Sequence, residues 1–215
     1  MPTTRILLIR HADSHHTTDA VNAGPRTCRG LTDLGHTQAR KLRTRLDHEA
    51  LTPHAVYSST IPRTIETARH LTDHPVTPDC GLCTYHLPDW ADGMTWQQIR
   101  AEHARPDGGL FHPFQEGNES WAQLVLRAST TLTAIAARHP GSTTLIVTHA
   151  EVVEASLIAF GALPLYREFD IKTHPASLTE WTTRDDPAAP WEPALHPHLP
   201  VRWTLTRLND TAHLA

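Results

Sequence analysis

The chain has 215 residues, of which 20% are charged and 39% belong to the hydrophobic set AVILMFWYC. This length suits one sizeable domain, and the composition excludes a fully disordered, collagen-like or coiled-coil chain. The net charge of −4 lacks the basic excess that extended contact with nucleic acid or an anionic membrane requires, so we expect neither partner. The unusual feature is histidine, with 17 residues against 19 lysines and arginines, which first suggests metal binding.

Targeting and cysteine signals are weak. The first apolar run, Ile6 to Ile9, is too short for a secretion signal, and no run approaches a membrane span of about 18 apolar residues. We therefore predict a soluble, non-secreted, cytoplasmic protein. Cys28, Cys80 and Cys83 cannot all pair within one chain, which favours free thiols, although the C-x-x-C spacing of Cys80 and Cys83 leaves a metal or redox pair open.

The first half of the chain alternates apolar runs with helical periodicity. Residues 4–10 predict a buried strand, and a long polar loop follows it. A helix begins at Thr32, with an apolar face of Leu34, Ala39, Leu42 and Leu46. Residues 55–57 predict a strand, and the next helix starts within 58–62, with Ser59 or Thr60 as its cap and Pro62 in its first turn.

The second half continues this alternation. Residues 75–93 are rich in Pro, Asp and Gly and predict irregular structure, followed by a short helix near 95–105. The elements predicted after it are a helix over 119–138, a strand over 143–148, a helix over 151–160, and late strands over 178–182 and 201–208 separated by a Pro-rich loop at 187–200. The pattern predicts an α/β fold: a single three-layer sandwich over residues 1–215, with a mostly parallel central sheet and helices on both faces.

Two predicted strands end in a histidine followed by alanine, Arg10-His11-Ala12 and Thr148-His149-Ala150. Ligands bind at the carboxyl ends of parallel strands, and the small residues let a ligand approach closely. Arg63 lies in the first turn of a helix that follows a third strand. Two imidazoles, two guanidiniums and a helix N-terminus predict a site for an anion such as phosphate.

In these motifs the chain resembles the histidine phosphatase superfamily, with its phosphoglycerate mutase-like fold. The matching segments, which follow one another in the family's order, are Arg10-His11-Ala12, Gly30-Leu31-Thr32 with Gly35 and Gln38-Ala39, Ser58 to Ala68, Gly117 to Ser120, and Thr148-His149-Ala150. A C-terminal match at 207–214 is similar to the bacterial small-phosphatase branch.

The resemblance implies that His11 forms a phosphohistidine while Arg10, Arg63 and His149 hold the phosphoryl oxygens. It implies no metal and no cofactor. Further phosphate or substrate contacts implied by the resemblance, or by the small residue after the second histidine, are Thr17, Gly24, Glu119 and Ala150. The residues next to these motifs, His15 and His16, favour an exposed loop over a metal pair.

The general acid is where the chain departs from the family pattern. Within 82–93, Asp89 is the preferred candidate, with Asp92 and Tyr85 as alternatives. Glu151, two residues after His149, and no acid at all are the remaining alternatives. Residues 76–118 are predicted to form a cap or insert beside the site, and Trp90, Trp96 and Trp121 are candidate linings of the pocket.

The predicted function is hydrolysis of a small phosphorylated metabolite, a phosphomonoester, and the atypical acid region suggests a specialised biosynthetic pathway. The alternatives are a phosphoglycerate mutase-type phosphotransferase and a phospho-ligand-binding protein that has lost its acid. The oligomeric state stays open, with a homodimer among the options.

Overall fold

The computed structural model describes residues 3–183 and 203–215. The strands are β1 (Arg5–Arg10), β2 (Ala55–Ser58), β3 (Val76–Pro78), β4 (Thr143–Thr148), β5 (Leu178–Thr183) and β6 (Trp203–Asp210). The α-helices of these ranges are α1 (His15–Thr18), α2 (Asp33–His48), α3 (Pro62–Leu71), α4 (Trp96–His103), α5 (Trp121–Arg138) and α6 (Ala150–Ala159). The predicted loop at 187–200 lies outside the described residues.

The strands form one sheet in the order β3-β2-β4-β1-β5-β6. The first four strands of that order are mutually parallel, whereas β5 is antiparallel to both β1 and β6. This arrangement confirms the predicted mostly parallel sheet. It also places 76–78, which the sequence assigned to an insert, inside the sheet as the edge strand β3.

Helices cover both faces of the sheet, as predicted, because the central strands are apolar on both sides. Ile6 and Leu8 pack with α5 and α6 on one face. Leu7 and Ile9 pack with α2 and α3 on the other. A strand buried on both faces reads as a continuous apolar run, and β1 has that sequence.

Two helix details differ from the sequence predictions. Leu34 is 58% exposed, because it lies roughly 100° around α2 from the buried row that contains Ala39, Leu42 and Leu46. In α3 the N-cap is Ile61 without a side-chain cap, although Pro62 does occupy the first turn. Of the two expected caps, Ser59 contacts His149 and Thr60 contacts Cys83 Sγ instead.

Candidate functional site

The two predicted histidines meet at the carboxyl edge of the sheet. Strands β1 and β4 are adjacent and parallel, with Arg10 opposite Thr148, so the residues that follow them lie side by side. The ring centroids of His11 and His149 are 5.3 Å apart in an edge-to-face arrangement. Both side chains are buried, with only 3% and 2% exposure. The site therefore contains a pair of buried imidazoles with little access to bulk water.

The hydrogen bonds of His11 define which ring nitrogen carries its proton. Nδ1 lies 2.8 Å from the carbonyl oxygen of Ala12, and a carbonyl only accepts, so Nδ1 is the protonated nitrogen. Arg63 Nε donates to His11 Nε2 across 3.2 Å. Burial, followed by the charge of Arg63, holds the pKa of His11 well below its usual value. His11 is therefore a neutral imidazole with a lone pair on Nε2.

His149 has the complementary arrangement. Arg63 Nη2 lies 3.4 Å from His149 Nδ1, and a guanidinium only donates, so Nδ1 accepts and Nε2 carries the hydrogen. That Nε2–H donates to Ser59 Oγ across 2.9 Å. Burial and the charge of Arg63 also lower the pKa of His149 well below its usual value.

Two arginines bring positive charge to these neutral rings. Arg63 is 2% exposed and is further fixed by donating from Nη1 to the Ala23 carbonyl at 2.7 Å. Arg10 Nη1 donates to the Thr173 carbonyl at 2.5 Å, while its buried Nε finds no hydrogen-bond partner among the described residues. Burial lowers the pKa of both guanidiniums, but arginine stays charged in proteins. A buried cation pair with an unused donor fits an anionic ligand.

The motif residues beyond the histidines hold the loop that follows β1. Thr67 Oγ1 accepts the Ala12 N–H at 3.1 Å, and Gln38 Oε1 accepts the Asp13 N–H at 2.8 Å. A β-carbon on Gly35 would come within 1.9 Å of the Asp13 carbonyl oxygen, so only glycine lets α2 approach this closely. These residues position His11 rather than contact a ligand.

The histidine pair opens into a cavity of about 250 Å³. The N-terminus of α6 borders it through Ala150 and Glu151, which adds a favourable dipole for an anion. Part of the cavity lining is apolar. The lining residues there are Tyr85, Leu87, Trp96 and Phe114, with Thr84, Gln115 and Asn118 beside them.

The structure separates the residues predicted to bind substrate. Ala150 lines the cavity, whereas Thr17 is exposed and lies outside it. The N–H of Gly24 donates to Asp92 Oδ1 at 2.7 Å, so another group already occupies this donor. Glu119 pairs with Arg127 at 2.6 Å and also lies outside the cavity.

The candidate proton donors are similarly divided. Asp89, the preferred candidate, has a 97% exposed side chain beside Arg26 and does not line the cavity of His11. Burial acts to raise the pKa of Asp92, but hydrogen bonds from Thr27, Gly24 and Arg26 hold it below the usual value. Asp92 is therefore a carboxylate that stabilises the loop. Tyr85 and Glu151 do line the cavity. Burial, and then the charge of Glu151, raises the pKa of Tyr85.

His16 lines the cavity, whereas the sequence predicts it in an exposed loop. The short helix α1 turns it inward, and its Nδ1 contacts the Val21 carbonyl. Burial and Arg63 lower its pKa to about 4. Asn22 also lines the cavity and donates to the Ala91 carbonyl at 2.8 Å. The only sequence signal for His16 is its place five residues after His11 and two residues after Ser14, the N-cap of α1.

The predicted tryptophans also fall in different places. Trp96 lines the cavity and Trp121 lines an adjoining one, whereas Trp90 stacks on His103 at 3.8 Å between centroids. Outside the histidine cavity, Cys80, Cys83 and His86 form a group whose ligand atoms are close enough to hold a metal ion.

Comparison with known proteins identifies the class. The model of the histidine phosphatase superfamily (branch 1) matches residues 6–189, and the chain belongs to this superfamily. A relative at 29% identity is phosphoglycerate mutase-like protein 4 of Arabidopsis thaliana; the match covers 70% of this chain and 68% of that protein.

Solved structures share the fold over nearly the whole chain. YhfR of Bacillus stearothermophilus is 26% identical with a TM-score of 0.76, over 99% of this chain and all of that one. The mycobacterial glucosyl-3-phosphoglycerate phosphatase in complex with VO3 is 24% identical with a TM-score of 0.72, over 95% and 98% of the two chains. None of the helices in the described ranges has the length and apolar character needed to cross a membrane.

Proposed function

We propose that this protein hydrolyses small phosphomonoesters through a phosphohistidine on His11. Nε2 attacks phosphorus as the ester oxygen departs, and water then breaks the N–P bond to release phosphate. Arg10 and Arg63 hold the phosphoryl oxygens, whose charge spreads over them in a loose transition state. His149 lies beside them and would take part by donating from Nε2 once that hydrogen leaves Ser59 Oγ. The observation that carries the proposal is the Nδ1–H contact of His11 to Ala12, which leaves Nε2 unprotonated beside Arg63.

Glu151 is the proposed proton donor to the leaving oxygen and the acceptor of the water proton in the second step. It lines the cavity, and its electrostatic effect on both Arg10 and Arg63 supports a position close to these two arginines. Asp89 meets neither condition. The presence of Glu151 and Tyr85 in the cavity argues against a binding protein that has lost its proton donor.

Hydrolysis is favoured over a mutase reaction by the charges around the cavity. Phosphoglycerates carry a carboxylate besides phosphate, and its burial requires a further cation. Arg10 and Arg63 are the arginines among the residues that line the histidine cavity. In the adjoining cavity, Arg167 is paired with Glu154. Within the described parts of the chain, these cavities therefore offer no unpaired arginine or lysine besides Arg10 and Arg63.

The leaving group is proposed to be neutral and apolar or aromatic. Phe114 and Tyr85 are shared by the histidine cavity and an adjoining cavity of about 380 Å³, where Trp121, Leu165 and Phe169 continue the apolar wall. Burial of apolar area contributes roughly 25 cal/mol per Å². An aryl or alkyl ester therefore gains more binding energy here than a polar metabolite of the same size.

The test is phosphate release from a panel of aryl, alkyl and charged phosphate esters, 3-phosphoglycerate included. We expect His11→Ala to abolish release, and rapid acid-free quenching of the wild type to trap phosphate on His11. Conversion of 3- to 2-phosphoglycerate without hydrolysis, or full turnover by His11→Ala, refutes the proposal. The specialised pathway, cytoplasmic location and homodimer stay predictions.

A further inference from the structure

Two thiols and an imidazole converge on the loop that follows β3. A short 3₁₀ turn at Cys80–Leu82 brings Cys83 to the same side as Cys80. Cys80 Sγ lies 3.3 Å from His86 Nε2, and the ligand atoms of Cys80, Cys83 and His86 all lie within 4.8 Å of one another. Ligand atoms around a tetrahedral zinc ion, bound at about 2.0–2.3 Å, have separations of this size.

The loop that carries these side chains is already fixed. Arg127 donates to the carbonyls of Cys80, Gly81, Cys83 and Thr84 at 3.0–3.3 Å. Glu119, which pairs with Arg127 at 2.6 Å, also accepts the His86 N–H at 3.2 Å. A preorganised ligand set loses little conformational entropy when it binds an ion.

We infer that Cys80, Cys83 and His86 form a binding site for a thiophilic divalent cation such as Zn²⁺. Thiolate and neutral imidazole are the ligands that zinc prefers, and binding releases one proton from each of the two thiols. Cys80 and His86 are exposed and border a cavity of about 310 Å³, which gives the ion an entry path and room for water as a fourth ligand.

The site is joined to the histidine cavity. Ser59 Oγ donates to Cys83 Sγ at 3.4 Å, and the same oxygen accepts from His149 Nε2. The next residues along the ligand loop, Thr84, Tyr85 and Leu87, line the histidine cavity. A bound cation therefore anchors one wall of that cavity.

The experiment is a titration of the fully reduced, full-length protein with Co²⁺, which substitutes for Zn²⁺ and is visible by absorption. We expect one equivalent to produce a near-ultraviolet thiolate-to-cobalt band together with the visible bands of a tetrahedral site, and one equivalent of Zn²⁺ to bleach both. Release of about two protons per ion, followed with a pH indicator, is the second readout.

The variants separate this site from adventitious binding by other histidines. Cys80→Ser removes an exposed ligand without disturbing the core, and we expect it to lose at least half of the thiolate band. His86→Ala is expected to weaken binding by 10-fold or more, while Cys28→Ser and His112→Ala keep wild-type binding. Absence of a thiolate band in the reduced wild type overturns the inference. So does a band that keeps its full intensity in Cys80→Ser but disappears in Cys28→Ser.

Discussion

Replacing Glu151 by glutamine tests the proposed proton donor, because the substitution keeps the size of the side chain and removes its transferable proton. Protonation of a poor leaving group by a positioned acid contributes about 10²–10⁴-fold to the rate. We therefore expect kcat/KM for an alkyl phosphate to fall by that factor, which corresponds to about 3–5 kcal/mol of transition-state stabilisation. An activated aryl ester, whose phenolate departs unprotonated, should lose less than 10-fold.

The structure also predicts a split between binding and turnover. Glu151 lines the cavity near Arg10 and Arg63, and glutamine keeps the size of its side chain. The substitution removes the proton that is needed in the transition state, so KM should stay nearly constant while kcat falls. A residue that only supported the wall of the cavity would change both esters equally.

The assay is steady-state phosphate release from matched alkyl and aryl esters, with kcat/KM used because it reports the phosphorylation step. Tyr85→Phe is the matched control for the other proton donor in the cavity, and Asp89→Asn is the control for the exposed carboxylate. Retention of alkyl ester turnover by Glu151→Gln, with loss in either control, would show that the proton comes from elsewhere.

Three further predictions concern stability and specificity. His16 stays neutral in the fold down to about pH 4, whereas in the unfolded chain it binds a proton below about pH 6.5. The free energy of unfolding should therefore fall as the pH is lowered from about 6.5 to about 4. His16→Gln should reduce that slope by about 1.4 kcal/mol per pH unit in urea unfolding curves, and equal slopes would contradict the buried neutral ring. Asp92→Asn should cost about 2 kcal/mol of unfolding free energy because Gly24, Arg26 and Thr27 all donate to the carboxylate, whereas Asp89→Asn should change it by less than about 0.5 kcal/mol. Phe114→Ala should lower kcat/KM for apolar esters by about 10-fold and leave small polar esters unaffected, and an equal loss for both would refute the proposed leaving-group wall.

The central site could be predicted from the sequence because the positions of the strands determine where its residues lie. The apolar run of β1 is legible as a buried strand, and the residues after parallel strands share one edge of the sheet. His11, His149 and Arg10 therefore needed little beyond the identification of β1 and β4. Arg63 required only the additional step that a helix starts after β2.

The proposed proton donor could not be predicted in the same way, because the side-chain directions in an irregular loop depend on tertiary hydrogen bonds. Asp92 turns toward Gly24, where a β-carbon would come within 3.0 Å of its carboxyl group. Asp89, three residues earlier, turns to solvent. Glu151 sits in the first turn of α6, where helix geometry fixes its direction relative to His149, so its position was the more predictable one.

The neutral histidines account for how a cationic cavity can hold the proposed nucleophile, His11. Burial lowers the pKa of His11, His16 and His149, and the charges of Arg63 and Arg10 lower it further, so each imidazole keeps a lone pair at neutral pH. A phosphate dianion supplies the negative charge that pairs with the two arginines. The same depressed pKa values make the fold less stable in acid. The neutral state of His11, which the proposed reaction needs, and the acid sensitivity of the fold therefore have one physical cause. We expect a variant such as Arg63→Gln to weaken both together.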